Sequence, residues 1–251
     1  MLASRATIPA TDEGLLRGDG AFEVIRVYDG RPFAFEEHLR RLDRSASNLR
    51  LALDLEAVRS DAHRLLAHAG AGPDHELLRI VVTRGGRRLL MTEPLPATPD
   101  RVSLGSITYS PPRLLDGVKS LSYAANMLAG RLARERGFDE ALLVTPHGRV
   151  LEAPTSSIFW IADGAVMTPP LSEHILASIT RALVIELSGA TERECTLEDL
   201  DASDEAFLAS TVREVQPIAA VDQRRFQGVG SVTSRIAQDV AAHIRSELAA
   251  N

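Results

Sequence analysis

Gly117-Val118-Lys119-Ser120-Leu121-Ser122-Tyr123 holds the only lysine in a chain of 251 residues; of the 28 basic side chains, every other one is arginine. Lysine is ordinarily among the commonest residues, so about a dozen would be expected in a chain this long. Arginine serves surface charge and salt bridges equally well. It cannot lose its proton and attack a carbonyl, because its pKa is too high. Two readings of Lys119 stand at this point: a chance survivor on the surface, or a nitrogen that the chemistry requires as a Schiff-base or general-base residue.

The bulk composition bounds the rest. At this length the chain buries a substantial core as one large domain or two small ones. Apolar residues make up 45% and charged residues 25%, which is ordinary for a folded, soluble protein. A net charge of −6 argues against non-specific binding to nucleic acid, which needs a basic field. The single cysteine, Cys195, excludes an intrachain disulfide framework and points to the cytoplasm. Met1-Leu-Ala-Ser-Arg5 shows no signal-peptide core, and no apolar run is long enough to span a membrane.

Before Lys119, Ala21 to Val27 reads as a strand closed by a turn at Asp29-Gly30. Helices follow from Glu36 to Leu51, where Leu39, Leu42, Ala46 and Leu49 share a face, and from Leu53 to His68. Leu77 to Thr83 and Val102 to Tyr109 are strand-like, and Ser110-Pro111-Pro112 breaks regular structure. After Lys119 comes a helix from Tyr123 to Arg136, stopped at Gly137. Short strands are expected at Ala141 to Val144, Val150 to Leu151 and Ser157 to Ile161, a helix at Ile175 to Leu187, and a strand near Ala206 to Ser210. A last helix carries Ile236, Val240, Ile244 and Leu248 in a stripe. Strands mixed with helices without steady alternation favour an α+β fold. The expected division is a small lobe over 1–105, a linker over 106–118 and a larger lobe over 119–251. Two apparent motifs fail: His75-Glu76 lacks the second histidine of a zinc site, and Gly228-Val-Gly230 lacks the third glycine of a nucleotide loop.

The neighbourhood of Lys119 leads on through Ala-Ala-Asn126 to Gly137-Phe138-Asp139-Glu140-Ala141 and Val150-Leu151-Glu152-Ala153-Pro154-Thr155-Ser156-Ser157. Together these resemble the class IV aminotransferases, the pyridoxal 5'-phosphate (PLP) family of branched-chain and D-amino acid transaminases and aminodeoxychorismate lyase. Gly18-Asp19-Gly20-Ala-Phe22-Glu23-Val-Ile-Arg26, His38-Leu39-Arg40-Arg41-Leu42, Ile179-Thr180-Arg181 and Ala209-Ser210-Thr211 continue the resemblance in the family's order. The resemblance implies a two-lobed α+β fold, PLP as cofactor, amino acid and 2-oxo acid substrates, and a homodimer. Lys119 would bond covalently to the cofactor and carry protons. Glu152 would face the pyridine nitrogen and keep it protonated, which makes the ring the better electron sink. Arg41, Ile179, Thr180, Ser210 and Thr211 would hold the phosphate, a task suited to guanidinium forks and helix N-termini. Tyr123 resembles the tyrosine that meets the ring oxygen, with a core tyrosine as the alternative.

The substrate is set by the carboxylate pocket. The Arg-x-His trap of D-amino acid transaminases is not reproduced, since Thr83-Arg84-Gly85-Gly86-Arg87-Arg88 runs on into Leu-Leu. Phe22 and Arg26 on the early strand, with Arg84 or Arg87, are therefore the candidate substrate contacts. The favoured reading is a transaminase of D-amino acids; a branched-chain L-amino acid enzyme, the lyase and a PLP-free relative are the alternatives.

Overall fold

The computed structural model describes residues 5–250, so the reading of Met1 to Ser4 as lacking a signal-peptide core lies outside the described residues. The chain divides into two units: one runs through Pro96 and takes in Gly117–Tyr123, the other comprises Ala97–Asp116 and the chain from Ala124 onward. The α+β mixture expected from the sequence is what forms.

The first unit contains α1 (Glu13–Arg17), β1 (Gly20–Tyr28), β2 (Arg31–Pro32), α2 (Phe35–Asn48), α3 (Leu55–Ala69), β3 (Leu77–Thr83) and β4 (Arg88–Glu93). Its sheet is antiparallel in the order β2-β1-β3-β4. Asp29 and Gly30 take positive φ of 49° and 81°, the backbone twist that a two-residue hairpin needs to return Tyr28 onto Arg31. Alternation then sorts the faces. Ala21, Ile25 and Val27 of β1 and Leu78, Ile80 and Val82 of β3 join Leu39, Leu42, Ala46, Val58, Ala62 and Leu66 of the two long helices in one core. Fully burying each Val, Leu or Ile side chain of this set is worth about 1.5–3 kcal/mol. Glu23 lies on this same core-facing side of β1. The opposite face carries Phe22, Val24, Arg26 and Tyr28, with Val81 and Arg79 paired to Phe22 and Val24.

The second unit contains β5 (Val102–Thr108), α4 (Ala124–Glu135), β6 (Glu140–Val144), β7 (Ser157–Ala162), β8 (Ala165–Thr168), α5 (Ile179–Ser188), β9 (Thr191–Glu192), α6 (Leu197–Asp201), β10 (Glu205–Ser210), β11 (Glu214–Val221), β12 (Arg224–Arg225) and α7 (Ser231–Ala250). Its sheet runs β6-β5-β11-β10-β7-β8-β9, with β12 beside β11. The core gathers Leu104, Leu142, Ile158, Trp160, Leu208 and Ile218, among others, from successive strands. No helix among the described residues is long and apolar enough to cross a membrane.

Three expectations change. The linker expected over 106–118 begins too early, because β5 pairs with β6 as far as Thr108 and Val144. Lys119 does not open the second lobe: Gly117–Tyr123 clusters with the first unit. The cause is an open edge. The short β2 pairs only with Val27 and Tyr28, and residues 119–121 take up the edge of β1 near its start. There Phe22 N–H donates to Lys119 O at 3.0 Å and Leu121 N–H to Gly20 O at 2.9 Å. A Cβ on Gly20 would lie 2.3 Å from Val82 O and 2.5 Å from Leu121 Cδ1, so this close approach requires glycine. Third, the helix expected from Ile175 starts at Ile179, where the Ser178 side chain accepts from Arg181 N–H and caps it.

Candidate active site

In the first unit the site is built around the Phe22 ring. The Lys119 Nζ lies 4.6 Å from the ring centroid, and the Tyr123 ring meets Phe22 edge-on at 5.4 Å. Lys119 is held from both sides of its peptide. Its carbonyl accepts from Phe22 N–H, and its own N–H donates to Ser45 Oγ of α2 at 3.1 Å. The half-buried amine therefore stands beside an aromatic face in a fixed place, the setting a Schiff-base lysine needs. Cys195, the other conventional nucleophile, is buried in the second unit, and burial pushes its thiol up.

Arg41 lies on the buried face of α2 and is 4% exposed. Its Nε and Nη2 both reach the Glu23 carboxylate at 2.7 Å. The same carboxylate accepts from His38 Nδ1 at 2.8 Å, so Glu23 meets donors on both oxygens. Burial by itself pushes the Glu23 carboxyl up. The hydrogen bonds and charge of Arg41, then those of His38, outweigh it and bring the carboxyl down to about 2. His38 moves down as well: burial dominates, and the Arg41 and Lys119 charges add to it against the pull of Glu23. At neutral pH the cluster is thus an ion pair beside a neutral imidazole whose Nδ1–H points at the carboxylate.

Of the four expected substrate contacts, Phe22 and Arg26 share one face of β1. The Arg26 guanidinium lies 5.0 Å from the Tyr28 ring centroid and 3.7 Å from Glu76. Arg84 turns elsewhere: its Nε donates to Asp19 at 2.9 Å, and its other nitrogens donate to the Arg50 and Leu49 carbonyls at 2.6 and 2.5 Å. That pattern ties the β3–β4 turn to the end of α2. Arg87 is exposed in the same turn. Arg79, which the sequence reading passed over, is a second arginine on the face that carries Phe22 and Arg26. Its Cζ lies 5.9 Å from the Phe22 centroid, and Glu93 holds it at 2.6 and 2.9 Å. Strand alternation places Arg79 on the face of Val81, but only the β1–β3 register shows that this is also the face of Phe22.

In the second unit Glu152 follows the Val150-Leu151 segment, and its carboxylate accepts from Leu176 N–H at 3.3 Å. Tyr109 lies near enough that its phenol is pushed up, by burial first and by the Glu152 charge second. Ile179 and Thr180 form the first turn of α5, with Thr180 buried. Ser210 ends β10, and Thr211 opens the turn into β11. That turn is fixed by Arg213, whose N–H donates to Ser210 Oγ at 3.3 Å and whose guanidinium reaches the buried Glu140 at 2.6 Å.

The donor sets of the two units fit PLP by their chemistry. The first offers an amine and a buried guanidinium, suited to the aldehyde and the phosphate. The second offers a carboxylate for a protonated ring nitrogen, a capped helix N-terminus and two hydroxyls. The buried Ser156 and Ser157 hydroxyls, just past Glu152, have no hydrogen-bond partner among the described residues.

A single lysine amine beside an aromatic ring on an α+β scaffold is a setting in which a PLP-dependent enzyme can work. Residues 20–221 match the amino-transferase class IV family, and the chain belongs to it. It is 33% identical over 258 residues to a putative branched-chain-amino-acid aminotransferase of Methanocaldococcus jannaschii, covering 92% of this chain and 89% of that protein. It is 30% identical over 268 residues to a D-alanine aminotransferase of Staphylococcus epidermidis, covering 96% and 94%. The PLP-bound structure of a hypothetical aminotransferase from Mycobacterium tuberculosis superposes with a TM-score of 0.87 at 28% identity, covering 98% and 96%. The protein is an aminotransferase and its cofactor is PLP.

Proposed function

We propose that this enzyme moves an amino group between a D-amino acid and a 2-oxo acid such as 2-oxoglutarate or pyruvate, as a homodimer in the cytoplasm. One observation carries the substrate reading: the chain's only lysine amine and the Arg79 guanidinium stand against the same Phe22 ring, with Arg26 further along that face. A carboxylate recognised in a fixed orientation calls for a guanidinium fork, and these two arginines supply one each. Arg26 takes the carboxylate common to every amino acid, and Arg79 takes the distal carboxylate of a diacid. The Gly18-Asp19-Gly20-Ala-Phe22-Glu23-Val24 motif and the likeness to the staphylococcal D-alanine enzyme support the D-amino acid donor.

When bound, the cofactor supplies an electron sink for the bond electrons released at the substrate α-carbon. Lys119 Nζ would form the covalent link and would hold and return the proton. Glu152 would keep the ring nitrogen protonated. Arg41, the α5 N-terminus at Ile179 and Thr180, and Ser210 with Thr211 would bind the phosphate. Tyr123, edge-on to Phe22, would orient the ring.

The likeness to the methanogen protein supports a second reading, a branched-chain L-amino acid donor. A half-reaction screen separates them. D-alanine or D-glutamate, given without an acceptor, bleaches the visible band of the yellow enzyme. Bleaching by L-leucine and by neither D-acid overturns the D-amino acid reading. Pyruvate release from aminodeoxychorismate without transamination of any amino acid identifies a lyase instead.

A further inference from the structure

Glu23 is fully buried on the core-facing side of β1, among apolar neighbours, and was singled out in the sequence only as part of a motif. Burying a carboxylate and a guanidinium costs more desolvation than their attraction reliably returns, and apolar replacements of similar volume are often as stable. Folding alone does not call for this pair. Its geometry suggests a different task.

Arg41 is gripped through Nε and Nη2, two parallel bonds of 2.7 Å that hold the guanidinium plane to one orientation. His38, one turn earlier on α2, braces the carboxylate from the other side at 2.8 Å. Ser45, one turn later on that face, receives the Lys119 N–H, and Phe22, next to Glu23, donates to the Lys119 carbonyl. The cluster thus locks α2 against β1 at the place where both elements hold the reactive lysine.

We propose that Glu23, braced by His38, is a positioning residue that acts through Arg41: it pre-sets the guanidinium for the cofactor phosphate. The inference rests on the reading of Arg41 as a phosphate ligand. A guanidinium already fixed loses little freedom on binding an anion, whereas a loose one must be ordered first. Glu23 makes no contact with the cofactor in this scheme, so the effect it exerts through Arg41 appears where a phosphate is present.

The test compares apo-protein binding of PLP with binding of pyridoxal, which has the aldehyde and no phosphate. Wild type binds PLP more tightly. Glu23→Gln weakens PLP by about 10- to 100-fold, the range found for groups that orient metal-binding side chains. It changes pyridoxal affinity by less than about threefold, inside the scatter expected of an uncoupled site. Arg41→Met sharply reduces the PLP-over-pyridoxal preference. The apolar pair Glu23→Leu with Arg41→Met, which removes both charges, has the same preference as Arg41→Met alone, because Glu23 has nothing left to position.

Equal weakening of both ligands by Glu23→Gln, or no weakening of PLP, overturns the proposal and leaves the Arg41 assignment standing. An unchanged preference in Arg41→Met overturns the phosphate reading of Arg41 and the proposal with it. If Glu23→Gln does not fold, the paired variant decides: a further loss of preference beyond Arg41→Met gives Glu23 a role of its own and defeats the idea.

Discussion

Arg26 and Arg79 are the two guanidinium groups on which the proposed substrate specificity rests. Each meets an aromatic ring and a carboxylate, so neither stands as an uncompensated charge before substrate arrives. In the proposed scheme a substrate's distal carboxylate would take the place of Glu93 on Arg79, which would favour a diacid over a monoacid. Arg79→Leu is therefore expected to raise KM for 2-oxoglutarate by about 10- to 100-fold, the worth of a charged hydrogen bond or two. KM for pyruvate, which has no distal carboxylate, changes little. Steady-state kinetics with the two acceptors and one donor measure the contrast, and equal rises for both acceptors remove Arg79 from the diacid site. Arg84 was legible as an arginine near the right turn, yet its fork is closed on Asp19 and on the end of α2. Sequence spacing cannot tell a free guanidinium from an engaged one.

At the scale of elements, α2 and β1 are joined by the buried Glu23–Arg41 ion pair. The Glu23 carboxyl lies at about 2 in the folded protein against an ordinary 4.5, and His38 lies below its ordinary 6.5. A lowered histidine takes up more protons unfolded than folded, so its contribution to stability is complete above pH 6.5 and falls as pH drops through that value. A lowered carboxyl contributes above its ordinary 4.5 and loses that contribution as pH falls toward 2. Urea midpoints are therefore expected to decline below pH 6.5 and more steeply below 4.5. In His38→Gln the upper part of the decline is reduced and the lower part stays; an unaltered profile there rules out His38 as its cause. Strand β1, the Asp29-Gly30 turn, α2, α3, β3 and α7 were all legible, because each has a clear period or turn signal. β4 was not, since Arg88 to Glu93 mixes apolar and charged residues without alternation. β11 was hidden by Pro217, which reads against a central strand. The α5 start was displaced because Ile175 and Leu176 are apolar, while the cap that decides the boundary is Ser178.

For the whole molecule, a single lysine in 251 residues makes amine chemistry selective. Borohydride reduction of the yellow enzyme is expected to fix one PLP per chain, on the peptide containing Lys119, as read by mass spectrometry after digestion. Lys119→Ala folds, since arginines carry the surface charge, and its turnover falls by orders of magnitude. Activity retained in that variant contradicts the role of Lys119. The sequence by itself determined that there is one chemically distinctive amine, that a carboxylate follows at Glu152, and that arginine is abundant near both. Residue identity and motif order carry that much, because reactive groups are few and their types are dictated by the chemistry. Tertiary structure alone decided which unit Lys119 joins and that Arg79 joins Arg26 on the Phe22 face. It also decided that Glu23 is buried against Arg41. These outcomes depend on strand register and on an edge of β1 left open by a two-residue partner. Register is set by the burial of whole faces, through contacts between residues far apart in the chain, and no local pattern around Lys119 contains it.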